Sequence, residues 1–297
     1  MMHPEIRSIL PAELDLGEGP VWDIVSRRFF FVDVHGRAIH AWSPDTDERS
    51  KWKLAERIGW LIPRADGDGF MAGLQSGFAR VWFDPALRVA PMGCPHPGQP
   101  DVRLNDAKAD RFGRIWAGSM NNDDPSKADG QLTRLDVDGS FEIVERGIHI
   151  ANGPCIAADG SWMLHTDSWS RQIFRYRITP QGKFEDKRLW KAFTSSQGTP
   201  DGMTLDIDGH IWIAFWGGAC VRRFTADGLL LQQINLPALQ VTSVTFGGDL
   251  LDVMLVTSAS HGMTADQLAQ YPQSGAVFAV KTGAIGLAPQ MFGQATG

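Results

Sequence analysis

The chain has 297 residues, 43% of them hydrophobic and 21% charged, a globular composition that argues against long disorder. Its 28 Lys and Arg against 34 Asp and Glu give a net charge of −6, and no basic stripe marks a nucleic-acid-binding face. No apolar run reaches the roughly eighteen residues of a transmembrane helix. The opening MMHPEIRSILPAELD has no apolar h-region, so no secretory signal is expected. The first predicted strand is 28–32 (RFFFV), followed by 38–42. Further pairs follow at 69–72 and 78–82, 114–117 and 131–135, 161–164 and 172–176, 210–213 and 221–224, and 251–254 and 276–280. The first member of each pair is short and apolar, usually with an aromatic residue. Most follow a turn such as Asp66-Gly67, Phe112-Gly113, Asp159-Gly160, Asp208-Gly209 or Gly248-Asp249. Runs bounded in this way read as strands. No segment sustains a 3.6 period, and the one short helix expected is 264–270, in a loop.

The steps between Phe29, Phe70, Ile115, Trp162, Ile211 and Val253 are 41, 45, 47, 49 and 42 residues. Six all-β repeats of about 45 residues predict a six-bladed β-propeller with about four strands per blade. A β-sandwich rarely repeats so regularly. No linker or shift in composition divides the chain, so one domain over 1–297 is expected. The 11 Trp, against 2 Tyr, then fill the wedge-shaped spaces between blades. Cys94, Cys155 and Cys220 are far apart and odd in number, which fits neither a zinc site nor a disulfide framework. Free thiols and a reducing cytoplasm are expected.

In a propeller the innermost strand of every blade runs along the central channel in one direction. Residues at one phase of the repeat should converge there. Eleven residues before Phe29, Trp116, Met163 and Trp212 stand Glu18, Asn105, Asn152 and Asp201. The equivalent in the last repeat lies near Thr242 and Ser243, and in the second near Gly59, Trp60 or Leu61. Two carboxylates and two amides in a narrow channel suit a divalent cation with oxygen ligands. Without a cation the carboxylates would repel and one would protonate. Taken singly, each fits a turn: Asn152-Gly153 and Asp201-Gly202 are turn dipeptides, and Glu18 lies in Gly17-Glu18-Gly19-Pro20. Their shared phase favours a site at the central channel. Arg103, two residues before Asn105, should point the same way along a strand, although alone it fits a surface salt bridge. Asp106 and Lys108 read as strand or turn residues, Cys155 as a buried thiol, and His165 and His261 share no phase with the four. The chain has no nucleophile elbow, phosphate loop or dinucleotide fingerprint.

Five motifs, 16–22 (LGEGPVW), 103–106 (RLND), 117–120 (AGSM), 152–154 (NGP) and 200–203 (PDGM), together resemble the regucalcin/gluconolactonase family, over nearly the whole chain and in order. The stretch 261–280, with LAQYP at 268–272, is most similar to bacterial sugar-acid lactonases of pentose and hexose oxidation. The resemblance implies a six-bladed propeller with one divalent metal ion held by Glu18, Asn152 and Asp201. Calcium, zinc, manganese, magnesium and iron all occur among relatives. It implies lactone contacts from Arg103 and Asn105, with Asp123 the best match to a further acidic contact that is Glu in some relatives. The implied chemistry is hydrolysis of an aldonolactone to its open acid, with Asp201 both ligand and general base. The implied partner is a small sugar lactone, with no nucleic acid and no membrane, on a cytoplasmic monomer or weak homo-oligomer. Two rivals stand beside this reading. One is a calcium-dependent propeller phosphotriesterase or aryl-ester lactonase, and the other a metal-binding propeller without turnover.

Overall fold

The computed structural model describes residues 4–293. In chain order the strands are β1 (Glu5–Leu10), β2 (Gly17–Asp23), β3 (Arg28–Asp33), β4 (Ala38–Trp42), β5 (Arg49–Lys53), β6 (Ile58–Pro63), β7 (Phe70–Leu74), β8 (Gly77–Trp82) and β9 (Arg88–Gly93). They continue with β10 (Val102–Ala109), β11 (Ile115–Asn121), β12 (Gly130–Leu135), β13 (Phe141–Ile148), β14 (Ala151–Ile156), β15 (Trp162–Asp167), β16 (Gln172–Ile178) and β17 (Phe184–Ala192). The last are β18 (Thr199–Leu205), β19 (Ile211–Trp216), β20 (Cys220–Phe224), β21 (Leu230–Asn235), β22 (Gln240–Gly247), β23 (Val253–Ala259) and, after helix α1 (Ala265–Gln270), β24 (Val277–Lys281). The helix starts where the sequence places it, with Thr264 as N-cap accepting from the Gln267 amide.

These strands form six four-stranded sheets, the all-β six-bladed architecture expected from the repeat. Five are simple meanders, β2 to β5, β6 to β9, β10 to β13, β14 to β17 and β18 to β21. The sixth has the order β1-β24-β23-β22, so the N-terminal strand supplies the outer edge of a sheet whose other strands come from the end of the chain. The first strand of each sheet is almost wholly buried, as in β6 and β22, whereas fourth strands such as β5 and β17 are half exposed.

The chain divides into two compact units, each with three sheets. One comprises Met1–Lys53 and Phe193–Ala288, the other Leu54–Ala192 and Pro289–Gly297. Within the first, Trp212, Phe246 and Phe278 pack one pair of sheets, and Trp22, Phe29 and Phe31 pack another. Within the second, Trp60, Phe78 and Ile115 play that part between the first two sheets, and Trp116, Met163 and Tyr176 between the next two. Trp22, Trp60, Trp116 and Trp212 thus fill spaces between neighbouring sheets, whereas others, such as Trp169, stay partly exposed. Two carry a recurring device, an Asp six residues earlier in the β-turn. The Trp116 indole donates to Asp110 and the Trp212 indole to Asp206, each at 2.9 Å. Each carboxylate also pairs with a guanidinium, Arg114 or Arg223. A buried indole N–H needs such an acceptor, and the turn supplies it.

Candidate active site

Every first strand loses register with its partner at one place. The shifts fall between Glu18 and Val21, Ile58 and Trp60, Leu104 and Ala107, Asn152 and Cys155, Pro200 and Met203, and Val241 and Ser243. The phase-matched residues stand at these bulges, which re-aim side chains out of the ladder. The spacing of eleven is constant along the chain, but the register differs by one. Glu18 and Asn152 are the last paired residues before their bulges, opposite Val32 and Thr166, whereas Asn105 and Asp201 lie inside theirs. The following hairpins account for the difference. Loops 24–27 and 158–161 hold four residues, and loops 111–113 and 207–209 hold three. Glycine permits the local geometry: Gly19 and Gly153 have φ of 51° and 36°.

In the first unit β22 packs between β2 and β18. Thr242, in the β22 bulge, donates its hydroxyl to the Gly17 carbonyl at 2.6 Å. On the other side, a Cβ added to Gly202 would lie 2.1 Å from Ser243 Oγ. Glu18 and Asp201 therefore flank one bulge, each a residue away from its contact with it. Both are buried, at 6% and 5% exposure, and the Glu18 carboxylate accepts the Gly19 amide. Two buried carboxylates flanking one bulge make an oxygen pair suited to a divalent ion, whose charge would offset their mutual repulsion.

In the second unit a run of hydrogen bonds joins the other candidates. Arg103 donates to Asn122 Oδ1 at 2.9 Å and to Asn105 Oδ1 at 2.6 Å. Asn105 Nδ2 donates to Asn152 Oδ1 at 2.6 Å and to the Ala151 carbonyl at 2.9 Å. Asn152 Nδ2 donates in turn to Ser168 Oγ at 2.9 Å. The second sheet contributes no polar group because its position, Gly59, is taken up by a close strand approach. A Cβ there would lie 2.4 Å from the Asn105 carbonyl oxygen. Asp123 is exposed on the loop after β11 and accepts from Asn122, which places it one residue from the Arg103 network.

Three residues that the sequence reading did not select, Asp106, Asn122 and Ser168, lie along this run. Asp106 is fully buried and accepts the Ala107 and Gly153 amides, so it braces the bulge of the next sheet at the residue after Asn152. Burial pushes its carboxyl above the usual range. Asn122 and Ser168 bracket the hydrogen-bonded run, and Trp169, next to Ser168, leaves its indole 48% exposed with His149 stacked on it. Only the adjacency of Asp106 to Asn105 hinted at any of these. His165 is buried in β15 and its pKa is pushed down to about 4 by burial, so it is a neutral ring at neutral pH. The three cysteines are free, as expected, and burial raises the Cys220 thiol.

Residues 16–260 match the SMP-30/Gluconolactonase/LRE-like region. A 6-deoxy-6-sulfogluconolactonase of Pseudomonas putida is 30% identical over 98% of this chain and 99% of its own length. A pentonolactonase of Haloferax volcanii is 33% identical over 86% of this chain and 85% of its own. Among solved structures, a calcium-binding regucalcin of Agrobacterium tumefaciens superposes with a TM-score of 0.91 at 22% identity, covering 97% of each chain. That likeness establishes the shared fold. The match through all the sheets that carry the bulged first strands shows that the chain is a member of the SMP-30/gluconolactonase family.

Proposed function

We propose that the protein hydrolyses a sugar-acid lactone, a pentono- or hexonolactone, to the open aldonic acid. The observation that carries this reading is the buried run Arg103–Asn105–Asn152, whose two asparagines stand at the bulges of β10 and β14, the counterparts of the β2 and β18 bulges that carry Glu18 and Asp201. Relatives that act on gluconolactone and pentonolactone derivatives support it. In this reading Asp201 accepts a proton from water as the water oxygen bonds to the lactone carbonyl carbon. The ring C–O bond breaks, and the departing oxygen takes that proton back. Arg103 donates to substrate hydroxyls, Asn105 lies beside the substrate and holds the Arg103 guanidinium through its Oδ1, and Asp123 accepts from a ring hydroxyl. Glu18, Asn152 and Asp201 would hold one divalent ion, which when bound supplies Lewis-acid polarisation. Polar groups of this kind fit a polyhydroxylated substrate better than an aryl ester or organophosphate, whose apolar parts would leave them unpaired.

We place the enzyme in the cytoplasm, where its three free thiols stay reduced. Among the described residues no helix is long and apolar enough to cross a membrane. The test is acid release, read with a pH indicator, on a panel of aldonolactones, aryl esters and organophosphates, with and without chelator. Turnover of the lactones that falls with chelator and returns with a divalent ion supports the reading. Turnover of aryl esters alone would overturn it.

A further inference from the structure

Three metal-ligating side chains converge in the first unit, outside the set considered so far. His35 Nδ1 lies 2.9 Å from Asp15 Oδ2 and 3.1 Å from His261 Nδ1. His261 Nδ1 lies 3.2 Å from Asp15 Oδ2. Two ring nitrogens facing each other share at most one proton between them, and the same two nitrogens both face one carboxylate. A single ion meets all three lone pairs at once. Around a tetrahedral ion with bonds of about 2.0–2.1 Å, neighbouring ligand atoms stand roughly 3.3 Å apart. The triangle of 2.9, 3.1 and 3.2 Å is close to one face of such a tetrahedron.

The backbone holds the three ligands in place. Asp15 immediately precedes the segment leading into β2, His35 follows β3 and His261 follows β23. The Asp15 carbonyl accepts the Ser260 and His261 amides at 3.1 and 2.9 Å. Next to it, the Leu16 carbonyl accepts the Val34 amide at 2.9 Å, and the Leu16 amide donates to Asp33. Three strand ends tied together in this way present their side chains without further ordering. The other group of similar composition, Asp206, Asp208 and His210, differs: its Asp206 carboxylate is already taken by Arg223 and the Trp212 indole.

We propose that Asp15, His35 and His261 form a second divalent-metal site, one for a first-row transition ion such as zinc. Two imidazole nitrogens and one carboxylate oxygen are zinc-type ligands, unlike the all-oxygen set of Glu18, Asn152 and Asp201. With side-chain exposures of 20% for His35, 46% for Asp15 and 48% for His261, a fourth position stays open to water or a ligand. The ion clamps the ends of β2, β3 and β23 and fixes the segment that leads three residues on to Glu18.

The test uses the full-length protein stripped with chelator. Zinc is titrated by calorimetry, and Co²⁺ is followed by its visible absorption, which reports nitrogen ligation and low coordination number. Wild type and Asp201→Asn should both show the nitrogen-ligated cobalt bands. The His35→Ala/His261→Ala variant should lack them, should bind one equivalent of zinc fewer, and should lose the rise in Tm that zinc gives wild type. If its metal-free melting curve departs from that of wild type, His261→Asn alone, at the more exposed position, takes its place with the same expected losses. Unchanged zinc stoichiometry and cobalt spectrum in the histidine variants would overturn the proposal, as would binding to wild type seen only at millimolar zinc.

Discussion

Asp201 sits inside the β18 bulge, one residue from the Gly202 that packs on Ser243. Asp201→Asn keeps an oxygen donor there but cannot accept a proton. We expect kcat to fall by about 10²–10⁴, the range for loss of a general base, with circular dichroism unchanged. A rate near wild type would remove Asp201 from the base role. Arg103 makes the opposite kind of prediction, one about discrimination. The residue is 3% exposed, and its guanidinium is already oriented by Asn122 and Asn105. Arg103→Ala should lower kcat/KM for a polyhydroxylated lactone by about 10–100-fold, the worth of a charged hydrogen bond. It should do so far less for an unsubstituted lactone. Equal losses on both substrates would mean that Arg103 reads the ester and not the sugar. At this scale the sequence was informative wherever chemistry repeats at a fixed interval, as for Glu18, Asn105, Asn152 and Asp201. It was silent on Asp106, whose role is to accept an amide 47 residues away.

The element that matters most is the bulged first strand. Its bulge lets Asn105 and Asp201 leave the ladder while the rest of the strand stays paired and buried. Gly202 shows how tightly neighbouring bulges fit. An added Cβ would meet Ser243 Oγ at 2.1 Å, its Cβ at 2.6 Å and its Cα at 2.9 Å. Gly202→Ala should therefore destabilise by about 1–3 kcal/mol, the usual cost of overpacking, and should lower activity by displacing Asp201. Adding Ser243→Gly removes two of the three clashing atoms and should recover part of both losses, a coupling that a double-mutant cycle in urea measures directly. Independent, additive losses would show that the two bulges do not bear on each other. The hairpin turns were legible at this scale because Asp and Gly recur in them. The one-residue difference in loop length was not.

Across the whole molecule, two buried histidines set an acid limit. His40 and His165 are both pushed down to about 4, chiefly by burial, from an ordinary value of 6.5. Neither Nε2 has a hydrogen-bond partner among the described residues. Between these values the unfolded chain binds more protons than the folded one. The stability gained by keeping the rings neutral is complete above about pH 6.5 and is lost as pH falls toward 4. It amounts to about 3 kcal/mol for each ring. Urea unfolding at steps from pH 7 to 4 should show the midpoint falling through that window. A flat profile would mean that both rings gain protons in the folded state as readily as in the unfolded chain.

The sequence by itself determined the number of blades, the identity of the second and third strand of each, the short helix after Thr264 and the residue types at the candidate site. All of these follow from local patterning: apolar runs between Gly/Asp turns, and polar residues at a constant distance from an aromatic strand. Tertiary structure alone decided that β1 completes the sheet of β22 to β24, because that pairing joins chain segments more than 260 residues apart with no local signal at either. It also decided which side of each bulge a candidate occupies, that Gly59 yields its position to the Asn105 carbonyl, and that Asp15, His35 and His261 meet. Those outcomes depend on side-by-side packing of strands, where contacts are set by the distance between backbones and not by spacing along the chain.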